Sequence, residues 1–198
     1  MPRFQPRTND HDDAADMLDA SPEADGSVCA IAENRAYEVG VACLRLADLT
    51  LEVAQWCDDQ AYSKTISVLQ RHEPRTLLLP PSAADSMLER VAANAFPDAT
   101  VAHPNRKGWN ELRGLEKVRH FSLRADLAAL ETAVASKYLA LSALAALVDT
   151  VESSEHTAFV KGALKIRCTA VDGTMLLDAA TIANLELLRN LRTGDPKV

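Results

Sequence analysis

No G-x-x-x-x-G-K-[ST] run occurs in the 198 residues, so the sequence offers no loop of the kind that cradles a nucleotide phosphate. The four cysteines, Cys29, Cys43, Cys57 and Cys168, show no C-x-x-C spacing and have no His pair nearby. Structural zinc sites draw their ligands from close pairs, so zinc is not expected and buried free thiols are. His72, His103, His120 and His156 are scattered and share no recognisable spacing with a Cys or Ser. Long apolar runs are missing as well. The longest, Tyr138 to Val148, is too short to span a bilayer and contains Ser142. No cationic segment leads into an apolar run near Met1, so there is no signal-peptide pattern. Positive charge is in short supply. Twenty-one Lys and Arg face 28 Asp and Glu, for a net charge of −7 and a pI near 5.2. Non-specific nucleic-acid affinity comes mainly from cations on phosphates, so a free-standing nucleic-acid grip is disfavoured, while a local basic patch remains compatible.

What is present fits one domain of ordinary size plus extra elements, or two small ones. Residues 1–26 carry Asp10, Asp12, Asp13, Asp16, Asp19, Glu23 and Asp25 against Arg3 and Arg7, with few apolar residues. Such a segment cannot offset its ordering entropy by burial and is expected to be a disordered acidic leader. Val28–Ala32, Val39–Leu46 and Thr50–Cys57 read as three strands joined by links short enough to force an antiparallel meander, with Leu51, Val53 and Cys57 on one face of the third. Ala61–Glu73 reads as a helix with Tyr62, Ile66 and Leu69 inward, ended by Pro74. Thr76–Leu79 is a continuous apolar run, as expected of a strand buried on both faces. A helix capped by Ser82 or Asp85 and running to Phe96 turns Met87, Leu88 and Val91 inward, and Ala99–Ala102 is a last short strand.

This order predicts a mixed sheet arranged 3-2-1-4-5 with helices on both faces, an α/β architecture analogous to the RNase H-like fold. Residues 103–122 read as irregular or partly helical, with Arg106, Lys107 and Arg113 around Trp109. A basic group beside an aromatic ring is a candidate DNA or partner contact, and a Trp packed on the sheet edge is the plainer alternative. Leu123–Ser153 reads as one long Ala/Leu helix, with Leu127, Leu130, Val134, Tyr138, Leu141 and Leu144 on a stripe. Leu164–Cys168 alternates as a strand, and Asp172-Gly173 allows a short hairpin with Met175–Leu177.

A final helix follows. Asp178 is a good N-cap, Ile182, Leu185 and Leu188 share a face, and Gly194 and Pro196 stop it. The letters Asp178, Thr181, Asn184, Leu185 and Glu186 match the Leu-Asp-x-x-Thr-x-x-Asn-Leu-Glu pattern that leads from connector to lever in the MutS family, which the chain resembles. Arg106-Lys107, Trp109-Asn110-Glu111, Gly114-Leu115-Glu116 and Ser136-Lys137-Tyr138 look like the meiotic, crossover-promoting branch counted fourth in the eukaryotic series. The resemblance implies a MutS connector at 27–122 and the start of an all-α lever at 123–198, without a mismatch-reading domain before them. It further implies a nuclear, chromosomal protein of homologous recombination that pairs with a second meiotic MutS homologue. The pair would act as an ATP-controlled clamp on Holliday junctions, with MutL-class proteins downstream and no membrane partner. The DNA-embracing levers, the clamp and the ATPase domain with its ATP and Mg are expected beyond Val198, so this chain is expected to be non-catalytic and to hold no cofactor or metal itself.

Two other classes remain open. An RNase H-like nuclease would need carboxylates converging on metal ions, and the candidates are Glu33, Asp48, Asp58 and Asp85. The strand Thr76–Leu79 ends in Pro80-Pro81, where such an enzyme would place an acid. A stand-alone protein-interaction module is the third class.

Overall fold

The computed structural model describes residues 26–154 and 158–170. The expected leader, the hairpin partner Met175–Leu177 and the capped helix from Asp178 lie outside the described residues.

Three antiparallel strands open the fold: β1 (Ser27–Glu33), β2 (Glu38–Arg45) and β3 (Thr50–Cys57). After helix α1 (Ser63–His72), strand β4 (Pro74–Leu78) runs parallel to β1. Helix α2 (Met87–Ala95) then leads to β5 (Thr100–Ala102), parallel to β4. The expected 3-2-1-4-5 order is present. The sheet is nevertheless six-stranded, because β6 (Lys165–Cys168) pairs in parallel with β3, giving the order β5-β4-β1-β2-β3-β6. The residues read as one arm of a hairpin therefore extend the main sheet. A strand's alternation fixes which faces it shows but not which neighbour it joins.

Strand alternation sorts the core into two layers. Cys29, Ile31, Val41 and Leu77 face α1 and α2, against Val68, Leu69 and Leu88. Ala30, Ala42, Leu44, Leu51 and Leu78 face a second layer of helices. That layer is α3 (Glu111–Phe121), α4 (Leu127–Val134) and α5 (Tyr138–Ser154). Residues on both sides of position 122 contribute to this one cluster, from Val118 and Phe121 to Leu144 and Ile166.

Several local expectations are corrected. Of the two readings for residues 103–122, irregular or partly helical, the second holds: they contain helix α3, capped by Asn110, whose side chain accepts from Arg113 N–H at 3.0 Å. The expected long helix is two helices bent by 119° at Ala135–Lys137. Neither Gly nor Pro marks the bend. Its cause lies in tertiary structure: Gln55 on β3 accepts from the N–H of Leu139 at 2.9 Å and of Ala140 at 3.3 Å, caring for α5's first amides from across the sheet. The cap of α2 is Ser86, not Ser82 or Asp85; its side chain accepts from Glu89 N–H, and Asp85 sits in the left-handed region at φ 60°. Met87 consequently points outward, 54% exposed, and Leu88 takes the inward place. On α1, Thr65 and Val68 are buried beside Leu69 where Ile66 was expected. Cys57 is exposed.

Two glycines set how closely α5 approaches. A Cβ on Gly40 of β2 would lie 2.3 Å from Ala140 N, and one on Gly114 of α3 would lie 2.1 Å from Leu141 O. Both obstacles are backbone, which cannot swing aside. Gly40→Ala and Gly114→Ala are each expected to destabilise the fold by about 1–3 kcal/mol, the usual range for overpacking. The second does so although alanine favours a helix. Gly108→Ala, where the nearest atom is 3.6 Å away, is the control and should change little. Urea midpoints of the three variants decide the point.

Candidate functional site

The basic group singled out in the sequence lies on a short 3-10 turn, Arg106–Gly108, at the entry to α3. Asn105 shapes the turn by accepting from Lys107 N–H at 3.1 Å. Trp109 is half-buried against the α3–α5 cluster, and its Nε1 donates to Pro104 O at 3.4 Å. Arg106 and Lys107 are exposed beside it. Arg113 is committed elsewhere. Its guanidinium lies 3.1 Å from Asp149 on α5, and Lys117 bridges Asp149 at 3.0 Å and Glu152 at 3.4 Å. Between the turn and α5 runs a groove of about 300 Å³, lined by Pro104, Asn105, Gly108, Arg113, Asp149 and Ser153. The structure thus brings Arg106, Lys107 and Trp109 together on one surface, and turns Arg113 into half of an inter-helix ion pair.

The four candidate acids are not brought together. Glu33 accepts from Tyr62 Oη at 2.6 Å, an arrangement in which burial and the adjacent carboxylate push the phenol's pKa up. Asp58 caps the start of α1, accepting from Thr65 N–H at 2.8 Å and Thr65 Oγ1 at 2.6 Å, and from Trp56 Nε1 at 3.2 Å. Asp48 closes the β2–β3 turn, where a hydrogen bond from Thr50 and the nearby Arg45 hold its carboxyl below the usual range. Asp85 precedes the Ser86 cap. Among the described residues no group of three or more His, Cys, Asp or Glu is placed to hold a metal ion.

Cys29 and Cys43 face each other across β1 and β2, both buried as free thiols, and burial with the neighbouring Cys29 pushes the Cys43 thiol well up. Cys168, half-buried, is raised by burial too. At Cys43 and Cys168 the thiolate is therefore disfavoured, the character of structural cysteines. No single helix among the described residues is long and apolar enough to cross a membrane.

Gln55 is the residue that sequence reasoning missed. It stands on the same face of β3 as Leu51 and Val53, and a polar side chain at a core-facing position was the available signal.

These observations define an α/β body with helices on both faces of a mixed sheet. A search of protein-family models finds no match. Curated proteins do match. The chain is 28% identical over 177 residues to MutS protein homolog 4 of Mus musculus, covering 86% of this chain and 18% of that protein. It is likewise 28% identical over 170 residues to MutS protein homolog 4 of Homo sapiens, covering 82% and 18%. It is 26% identical over 178 residues to the DNA mismatch repair protein MSH4 of Arabidopsis thaliana, covering 87% and 22%. The chain therefore spans about a fifth of the length of the curated relatives it matches. The resemblance to the MutS family, and within it to part of MutS homologue 4, is borne out.

One titration is tied to this geometry. His72, at the end of α1, lies 3.4 Å from Glu52, and its side chain is 9% exposed. Burial holds its pKa below the usual 6.5; Glu52 opposes this, and Arg71 and Arg45 add to it. As the pH falls below about 6.5 the unfolded chain takes a proton here that the folded chain refuses. This site's contribution is therefore complete above that pH and is lost on acidification. Stability measured by urea from about pH 7.5 to about 5.8 should fall less steeply in His72→Gln than in the parent chain. Parallel curves would show that His72 does not titrate differently on folding.

Proposed function

We propose that this chain is the connector part, with the start of the lever, of a MutS-family protein acting in meiotic recombination. Similarity to MutS homologue 4 carries the reading: the five matched relatives, from mammals, a plant and yeasts, align over 78–87% of the chain. The 3-2-1-4-5 core supports an RNase H-like connector, expected at 27–122, onto whose sheet α4, α5 and β6 pack from beyond that bound. Asp178, Thr181, Asn184, Leu185 and Glu186 would begin the lever at its C-terminal side. The full-length protein would pair with a second meiotic MutS homologue, close as an ATP-controlled clamp on Holliday junctions in the nucleus, and hand crossover intermediates to MutL-class proteins. ATP and Mg would be held by the ATPase domain of that longer protein. The connector's own part is mechanical: it sets the lever at a fixed angle to a rigid sheet. Arg106, Lys107 and Trp109 form the proposed DNA or partner contact, with Arg113 bracing the turn against α5.

The nuclease reading loses ground because Glu33, Asp48 and Asp58 each serve a different turn, strand end or helix cap.

The 198-residue chain by itself should neither hydrolyse ATP nor cut RNA–DNA hybrid in Mg²⁺. Duplex or junction binding should be weak and lost steeply with salt, because a small basic group neutralises only a few phosphates. Replacing Arg106 and Lys107 by Gln should shrink the slope of log K against log salt by about 2 at most. Fluorescence anisotropy across a salt series measures this; tight junction binding at physiological salt by the chain alone would refute the connector reading.

A further inference from the structure

A groove of about 530 Å³ lies between α4 and β6, and most of its lining is apolar. Leu130 and Ala133 stand on the α4 side, and Ile166, Cys168 and Ala170 on the side of the sheet. Alternation explains the second wall, because every other residue from Ile166 to Ala170 falls on one face of the strand. That face looks toward α4: Ile166 belongs to the core cluster under α3, α4 and α5, and Cys168 packs against it. The Cys168 thiol lies 3.6 Å from the Ala133 carbonyl, to which it donates. Ala133 itself is exposed.

Among the described residues β6 is also the last strand of the sheet. Its backbone groups divide between two sides. Lys165 N–H donates to Leu49 O at 3.0 Å and Thr169 N–H to Val53 O at 2.9 Å, so the odd-numbered residues are turned toward β3. Successive residues of a strand alternate in this respect, which turns the N–H and C=O of Ile166 and Cys168 to the opposite edge. An edge of this kind, beside an apolar groove, is a template for one more strand.

The chain's own continuation has the length and pattern to supply it. From Ala170, which lines the groove, the sequence runs Val171-Asp172-Gly173-Thr174-Met175-Leu176-Leu177, outside the described residues. Asp172 and Gly173 are turn residues. A two-residue loop there would close on Val171 and Thr174. It would need the odd-numbered residues of β6 to face outward, and β3 already holds them. A four-residue loop over 171–174 closes on Ala170 and Met175 instead and uses the groups on the outer edge. The register follows from that closure: Cys168 stands opposite Leu177, Thr169 opposite Leu176, and Arg167 opposite Asp178. Directly opposed residues share a face of the sheet. Met175 and Leu177 therefore fall on the groove side, and Leu176 falls on the other side with Thr169. Arg167 and Asp178 make an opposite-charge pair across the ladder.

We propose that the groove between α4 and β6 is the seat of Met175 and Leu177, which join β6 as an antiparallel seventh strand. The inference rests on the groove and the register and does not require the family reading. It ties Asp178, where the capped helix of the sequence begins, to the edge of the sheet.

The test uses the whole chain and two readouts. Amide exchange reports the pairing, since Cys168 and Ala170 N–H point away from β3 and only a seventh strand gives them acceptors. Iodoacetamide labelling of Cys168, followed by peptide mass and referred to the exposed Cys57, reports the cover over the groove. Protected Cys168 and Ala170 amides are expected in the parent chain. Leu177→Asp should remove that protection and speed Cys168 labelling by about tenfold, while Leu176→Asp, on the other face, should change both by less than about twofold. Cys168 and Ala170 amides that exchange as fast as exposed loop amides in the parent chain overturn the proposal, as does an equal response to the two variants. Shielding of Cys168 that grows with protein concentration, together with a dimer in light scattering, would give the groove to a second copy and overturn it too. Should Leu177→Asp fail to fold, Leu177→Ser and amide exchange of the parent chain decide in its place.

Discussion

The seating of α5 on the sheet is the constraint from which most of the fold follows. An Ala/Leu helix has no preferred orientation against a flat apolar surface. Direction comes from two polar and steric devices. Gln55 reaches from β3 to the amides of Leu139 and Ala140, which fixes where the helix begins. Gly40 and Gly114 let backbone meet backbone at Leu139–Leu141, which fixes its depth. Tyr138 adds a side-chain link, its hydroxyl 2.7 Å from Asn34 and 3.1 Å from Glu38. With α5 so placed, α3 is held against it by Gly114 and the Lys117 bridges. The segment after α5 comes back to pair β6 with β3.

Elements whose signal is local were legible in the sequence. Strands β1 to β3 follow from alternation and short links, and β4 from an uninterrupted apolar run that ends up covered on both faces, Leu77 and Leu78 being wholly buried. What the sequence did not disclose depended on partners distant along the chain. The bend at Ala135–Lys137 has no breaker residue and exists because Gln55 caps the second half. Helix α3 was legible only as a partly helical stretch, and Gly114 within it is a point of close contact with the α5 backbone. The sixth strand was visible as a strand but not as a neighbour of β3. Ser86, next to one of the two caps considered, took the role, while Asp85 adopts the left-handed conformation.

Charge was legible in sum and not in place. The sequence drew attention to Arg106, Lys107 and Arg113 because they are neighbours in the chain. Three-dimensional structure gives Arg113 to Asp149. The acids behave alike. Glu33, Asp48 and Asp58 look available on strand ends, and each is consumed by a tyrosine hydroxyl, a turn or a helix start. An α/β body whose polar side chains are spent on holding its own elements suits a part that transmits position between other parts, which is the role proposed for it.

The central claim is that activity at DNA belongs to the longer protein and its partner, with this chain as a rigid non-catalytic member. The most direct measurement is retention on a Holliday junction, with and without ATP, of the reading frame extended past Val198 and co-purified with a second meiotic MutS homologue, compared with the 198-residue chain. Salt-stable, ATP-dependent retention by the extended pair, and only weak salt-sensitive binding by the chain, is the predicted result. Equal retention by the short chain, or an extended protein that neither pairs nor responds to ATP, would contradict it.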